Sequence, residues 1–147
     1  MINPSDTQKY ITKRQGYKYL LSFFVTSLIV FILFQIFLEN MVVDGNSMSP
    51  TLLDGDIGIC VKSTFVTAEK GDIVNIKSSY LGENIVKRVI ATEGDSVTIK
   101  NGIVYVNNNQ EYYSSQRTKG DVSLTVPKGQ IFVLGDNRGD STDSRII

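Results

Sequence analysis

The longest apolar run in the chain, Leu20 to Leu38, reads LLSFFVTSLIVFILFQIFL and carries no charge. At 1.5 Å per residue it predicts a helix roughly 28 Å long, close to the hydrocarbon thickness of a bilayer. No face of it is polar, which disfavours a helix packed on a globular core. Lys9, Lys13, Arg14 and Lys18 precede the run, and Glu39 and Asp44 follow it. That asymmetry predicts an N-terminus on the cytoplasmic side of the cytoplasmic membrane and a chain exposed on the other side after residue 39. A cleaved secretory signal is the alternative, but the run exceeds a usual signal core and no small-x-small site directly follows. The predicted organisation is a cytoplasmic tail over 1–19, a single transmembrane helix over 20–38 and an extracytoplasmic domain over 39–147.

After residue 39 the pattern changes to short runs rich in Val and Ile. Ile57 to Val61, Ile73 to Ile76, Ile85 to Ala91, Val97 to Ile99, Ile103 to Val106 and Ile131 to Leu134 read as strands. Asn101-Gly102 lies between two of them and predicts a tight hairpin turn with positive φ at both positions. Gly-Asp pairs recur at irregular spacing and read as turn punctuation, not as a repeat. Residues 107–126 are polar and read as an exposed loop or hairpin. No sustained helical period appears after residue 39. The predicted fold class is mainly β: a small antiparallel barrel or coiled sheet on one N-terminal membrane helix.

Composition narrows the chemistry. Fifteen Lys and Arg balance fifteen Asp and Glu, so no overall field favours nucleic acid. A single cysteine, Cys60, excludes an internal disulfide. With no histidine and one cysteine a zinc site is not expected, and the sequence calls for no other metal and no cofactor. A serine nucleophile in this chain would need Lys, Asp, Glu or Tyr to accept its proton.

Three segments carry candidate chemistry. Ser47 lies in Val43-Asp44-Gly45-Asn46-Ser47-Met48-Ser49-Pro50, where Gly45 permits an unusual backbone and a turn can display both Oγ and N–H. An ordinary polar turn is the plainer reading. Lys87 lies in Ile85-Val86-Lys87-Arg88-Val89-Ile90-Ala91. Alternation puts it on one face with Ile85, Val89 and Ala91, and Arg88 on the other with Val86 and Ile90. Burial disfavours an ammonium, and lysine, unlike arginine, can lose its proton and serve as a base. A snorkelling surface lysine is the plainer reading here. The third segment, Gly135 to Arg145, is densely polar and follows an apolar strand. It reads as hydroxyls and ion pairs around a site or as a solvated turn; a calcium loop through Asp136, Asp140 and Asp143 lacks the Gly and terminal Glu of an EF-hand, and Arg138-Gly139-Asp140 as an adhesion tripeptide carries little information.

Taken in order, these segments resemble the bacterial type I signal peptidases, in a Gram-positive-like form. The resemblance is carried by the membrane segment and Gly45-Asn46-Ser47-Met48-Ser49-Pro50-Thr51-Leu52. Gly71-Asp72-Ile73-Val74, Val86-Lys87-Arg88-Val89-Ile90 and Gly135-Asp136-Asn137-Arg138 follow, with Ser141, Asp143, Ser144 and Arg145. It implies a serine–lysine dyad with Ser47 as nucleophile and Lys87 as general base. By the same match the Ser141 hydroxyl helps hold the lysine, Asp143 and Arg145 brace the site as an ion pair, and Asp136 belongs to the scaffold. The Ser47 N–H would serve as oxyanion donor. Some members add a hydroxyl at the position that is Gly45 here. The family usually continues past its last motif, whereas this sequence ends at Ile147, so a fragment, a truncated inactive paralogue and a short member all stay open.

The implied reaction is endopeptidase cleavage of signal peptides from exported preproteins, at the outer face of the cytoplasmic membrane. The substrate would lie extended along Asp44, Gly45, Ile85 and Val86. The implied partners are preprotein signal peptides and the lipid bilayer, without nucleic acid or metal. Two alternatives are a self-cleaving Ser–Lys peptidase akin to DNA-damage repressors and a non-catalytic membrane adaptor in surface-protein assembly.

Overall fold

The computed structural model describes residues 4–146, with side chains from residue 15 onward. Ile147 and the side chains of Lys9, Lys13 and Arg14, invoked above, lie outside the described residues. The chain divides into two compact units, Met1–Leu38 and Glu39–Ile147. The elements in chain order are α1 (Pro4–Phe37), β1 (Leu38–Val42), β2 (Ile57–Val61), β3 (Ile73–Lys77), β4 (Asn84–Thr92), β5 (Ser96–Lys100), β6 (Ile103–Val106), β7 (Asn109–Gln110), β8 (Val122–Thr125) and β9 (Ile131–Leu134).

The first unit is α1. The helix is longer at its start than the apolar run, because Lys, Arg and Gln are good helix formers and need no apolar face to continue one. At its other end Leu38 already belongs to β1. Within α1, Gln15–Phe37 is a 23-residue stretch long and apolar enough to cross a membrane.

The second unit consists of antiparallel sheets. Their strand orders are β1-β2, β3-β4-β9 and β7-β6-β5-β8. None of them closes on itself among the described residues, so the barrel expectation gives way to three open sheets. Closure needs each edge strand to find a partner, and β3, β9, β7 and β8 each pair on one side only. Asn101-Gly102 makes the expected turn between β5 and β6, with φ of 53° and 78°.

The polar stretch 107–126, read as an exposed loop or hairpin, contains two strands, the first of them in a hairpin with β6. Asn107-Asn108 turns the chain at φ of 51° and 65°, and β7 folds back on β6. Further on, β8 pairs with β5 from Ser96↔Thr125 to Ile99↔Val122. β7 carries no apolar residue, while β8 alternates as Val122-Ser123-Leu124-Thr125, with Val122 against the apolar core, in a run too short to stand out within a polar stretch.

Two apolar clusters set the frame. The larger joins β4, β5, β6 and β9 through Ile90, Ala91, Val97, Ile99, Val104, Phe132 and Leu134. Strict alternation would separate Ile90 from Ala91. The register of β4 against β9 shifts between Val89 and Ala91, and that irregularity puts both in the same core. The smaller cluster packs Met41, Val43, Met48 and Val86, and anchors the serine-bearing loop to β4. Truncating the buried Leu134 to Ala should therefore lower unfolding stability by about 2–5 kcal/mol, read from chemical denaturation of the parent and the variant.

Candidate active site

The turn after β1 is built so that its two consecutive residues do different things. Met48 is fully buried in the smaller cluster, while the neighbouring Ser47 is only half-buried. Gly45 bends the chain at φ of 82°, in the left-handed region where any side chain would be strained. Its N–H is taken by Asp54 at 2.8 Å. The missing hydroxyl at this position thus follows from the path of the loop.

β4 delivers two adjacent cations to opposite surroundings. Lys87 is 4% exposed, and its Nζ donates to Ser47 Oγ at 2.7 Å and to the Val86 carbonyl at 2.9 Å. Burial pushes its pKa below the ordinary lysine value, against the opposing pull of the Asp143 and Glu83 carboxylates. Arg88 turns the other way. Its Nε and Nη2 grip Asp136 at 2.8 and 2.7 Å, and Nη1 donates to the Gly71 carbonyl at 2.7 Å. The Tyr113 ring lies 5.3 Å from its guanidinium carbon. For Asp136, burial alone would raise the pKa. The hydrogen bonds from Arg88 and from the Thr51 hydroxyl outweigh it and hold the carboxyl below the usual range.

The segment after β9 closes the site from the other side. Asp143 is fully buried and accepts from the Ser141 hydroxyl at 2.7 Å, from the Gly135 N–H at 3.1 Å and from Arg145 at both carboxylate oxygens. The Ser141 hydroxyl thus donates to Asp143, and its link to the amine runs through that carboxylate's field. Arg145 also donates to the Ser141 and Arg138 carbonyls, which ties the whole turn together. The calcium reading fails on geometry, since Asp136 and Asp143 face different arginines and Asp140 is exposed. The adhesion reading fails because Arg138 is buried, bonded to the Gly135 carbonyl, Thr118 and Glu111.

Several contacts had no counterpart in the sequence reading. Gly135 sits so close to the Ser47 carbonyl and the Ser141 side chain that an added Cβ would overlap both. Asn137 donates its backbone N–H to the Ser47 carbonyl at 3.0 Å and its Nδ2 to the Asn46 carbonyl at 3.1 Å. Thr51 bonds Asp136 across the fold. A glycine at a strand end is an ordinary turn signal, and close approach between segments some ninety residues apart leaves no local trace.

A groove of about 270 Å3 opens onto the pair, lined by Val42, Asp44, Ile85 and Val86 beside Ser47 and Lys87. Asp44, Ile85 and Val86, expected along a substrate path, therefore border it. The β4 segment Asn84 to Lys87 pairs with β3, while β9 partners begin only at Arg88. One edge of β4 is thus unpaired where it passes the serine.

A family described as signal peptidase, peptidase S26, matches residues 17–147. The chain belongs to that family. It is 33% identical over 139 residues to signal peptidase I U of Bacillus subtilis, covering 85% of this chain and 74% of the relative. It is 31% identical to signal peptidase IB of Staphylococcus aureus, covering 90% and 81%. A crystal structure of a signal peptidase I from Enterococcus faecalis aligns with a TM-score of 0.47 at 30% identity, covering 54% of this chain and 86% of that one.

Two outcomes follow for this peptidase scaffold. Gly135→Ala should disturb the Ser47 turn and lower the melting temperature, as read by thermal unfolding. Asp136→Asn should cost roughly 3 kcal/mol, because it leaves Arg88 without its charge partner. The pH dependence has a definite sign. A carboxyl with a depressed folded pKa contributes fully above its unfolded pKa and loses that contribution as pH falls through the folded value. Stability measured against pH should therefore fall on the acid side in the parent and fall less steeply in Asp136→Asn.

Proposed function

We propose that this chain is a membrane-anchored serine endopeptidase that removes signal peptides from exported preproteins, with Ser47 as nucleophile and Lys87 as general base. The observation that carries the reading is the 2.7 Å approach of a buried Lys87 Nζ to Ser47 Oγ. Membership of the signal peptidase family supports peptidase activity on signal peptides. The apolar stretch of α1 supports an anchor over about 20–38, with 1–19 as the cytoplasmic tail and 39–147 as the catalytic domain on the extracytoplasmic face.

Burial favours the neutral amine, which can accept the Ser47 hydroxyl proton. The Ser47 oxygen then attacks the substrate carbonyl, and its π electrons move to the carbonyl oxygen facing the Ser47 N–H. The new ammonium returns the proton to the leaving amine as the peptide bond breaks, leaving an acyl-enzyme. The amine next takes a proton from water, the hydroxide attacks the ester, and Ser47 recovers its proton as the acid product departs. Asp143, fixed by Arg145, Ser141 and the Gly135 N–H, steadies the transient ammonium. The extended substrate adds to the unpaired edge of β4 at Asn84 to Lys87, opposite Asp44. A preprotein signal segment and the anchor share one bilayer, which raises the effective concentration. A non-catalytic adaptor would have no use for a buried amine against a serine.

Membranes carrying the parent chain should process a preprotein, and Ser47→Ala or Lys87→Ala should lower that rate by roughly a thousandfold or more. Both variants processing at the parent rate would rule out the dyad. The rate should rise with pH through the folded pKa of Lys87, which burial sets below the ordinary lysine value. A rate highest in acid would instead exclude an amine base.

A further inference from the structure

Asn137 belongs to neither the dyad nor its ion pairs, yet it grips the serine turn twice. Its backbone N–H reaches the Ser47 carbonyl at 3.0 Å, and its side-chain Nδ2 reaches the Asn46 carbonyl at 3.1 Å. The Asn46 carbonyl also accepts the Ser49 N–H at 3.1 Å, within the turn itself. The second Asn137 contact bears on the reaction. The Asn46 carbonyl and the Ser47 N–H belong to the same peptide unit, which is planar, and in the trans form the two point in opposite directions. Whatever holds that carbonyl fixes where the N–H aims.

We propose that Asn137 is a positioning residue that aims the Ser47 N–H at the developing oxyanion. This rests on the acyl-transfer reading above and deepens it. The need for such a device is visible in the loop. Position 45 is a glycine at φ of 82°, so no hydroxyl there supplements the N–H. The Ser49 N–H holds the Asn46 carbonyl from within the turn, and a second hold from outside it narrows the direction of the Ser47 N–H further. Residues 135–137 supply that hold. Gly135 lets the Ser47 carbonyl approach the strand end, and Asn137 fixes the two successive carbonyls 46 and 47. Neither contact touches Lys87, so the proton-accepting half of the site is independent of it.

The test uses the full chain in detergent micelles, a preprotein peptide as substrate, and a peptide aldehyde that forms a tetrahedral adduct on a serine. Asn137→Ala removes the side-chain donor, and Asn137→Asp puts an anionic acceptor against the Asn46 carbonyl. Both keep the backbone N–H. Losing an oxyanion donor outright costs about 10²–10³ in kcat, so misdirecting it should cost about 10- to 100-fold. The aldehyde should weaken by a similar factor, while KM, the lysine limb of the pH profile and the melting temperature stay near the parent values. The inference is overturned if both variants keep the parent kcat. It is equally overturned if kcat falls together with the melting temperature while aldehyde affinity holds, since that marks a merely structural contact. A parent chain that cleaves no more than Ser47→Ala would overturn the underlying peptidase reading, an outcome distinct from the other two.

Discussion

An amine that is almost wholly shielded from water is pushed toward losing its charge unless an anion answers it, and around Lys87 burial prevails and lowers the pKa. Among the described residues no carboxylate is hydrogen-bonded to its Nζ, whose hydrogen-bond partners are a hydroxyl and a carbonyl. Asp143 and Glu83 act on it only through their fields, and burial outweighs them. The other parts follow from keeping that balance. Asp143 is buried but shared among Arg145, Ser141 and a backbone N–H, so its charge is largely answered before it reaches the lysine. A free carboxylate in the same place would hold the ammonium in its charged form.

Strand periodicity performs the separation. Lys87 and Arg88 are sequence neighbours, and alternation sends them to opposite faces of β4. The permanent cation receives a bidentate carboxylate, a carbonyl and an aromatic ring. The titratable one receives a serine. The two faces then serve different ends, with the Asp136 side tying the serine loop to β4 through Thr51 and the Lys87 side left open to the groove.

Much of this was legible in the residues, for identifiable reasons. The Val- and Ile-rich strands announce themselves because each buries a face, and Asn101-Gly102 announces its turn because few pairs accept positive φ twice. Ser47 and Lys87 each had a plainer reading taken singly, and only the ordered set of segments resembling one peptidase family joined them as a pair. What escaped was held by backbone or by distance. β7 carries no apolar residue, the alternation of β8 covers only Val122 and Leu124 inside a polar stretch, and the irregularity in β4 leaves no mark in the sequence that simple alternation would respect. The helix outran its apolar code because backbone hydrogen bonding, not hydrophobicity, decides where a helix stops. Asn137 and Gly135 act on carbonyls near position 47, and a main-chain acceptor has no residue type to betray it.

The half-paired β4 strand has a further consequence. An exposed ladder of N–H and C=O groups does not distinguish a preprotein from any other extended chain, a second copy included. Here the open stretch is short, because β9 takes over at Arg88. Its rim also carries the carboxylates of Asp44 and Glu83, which line the same groove. Two copies meeting edge to edge would press like charges together, so the groove that admits a polypeptide is partly guarded against self-association.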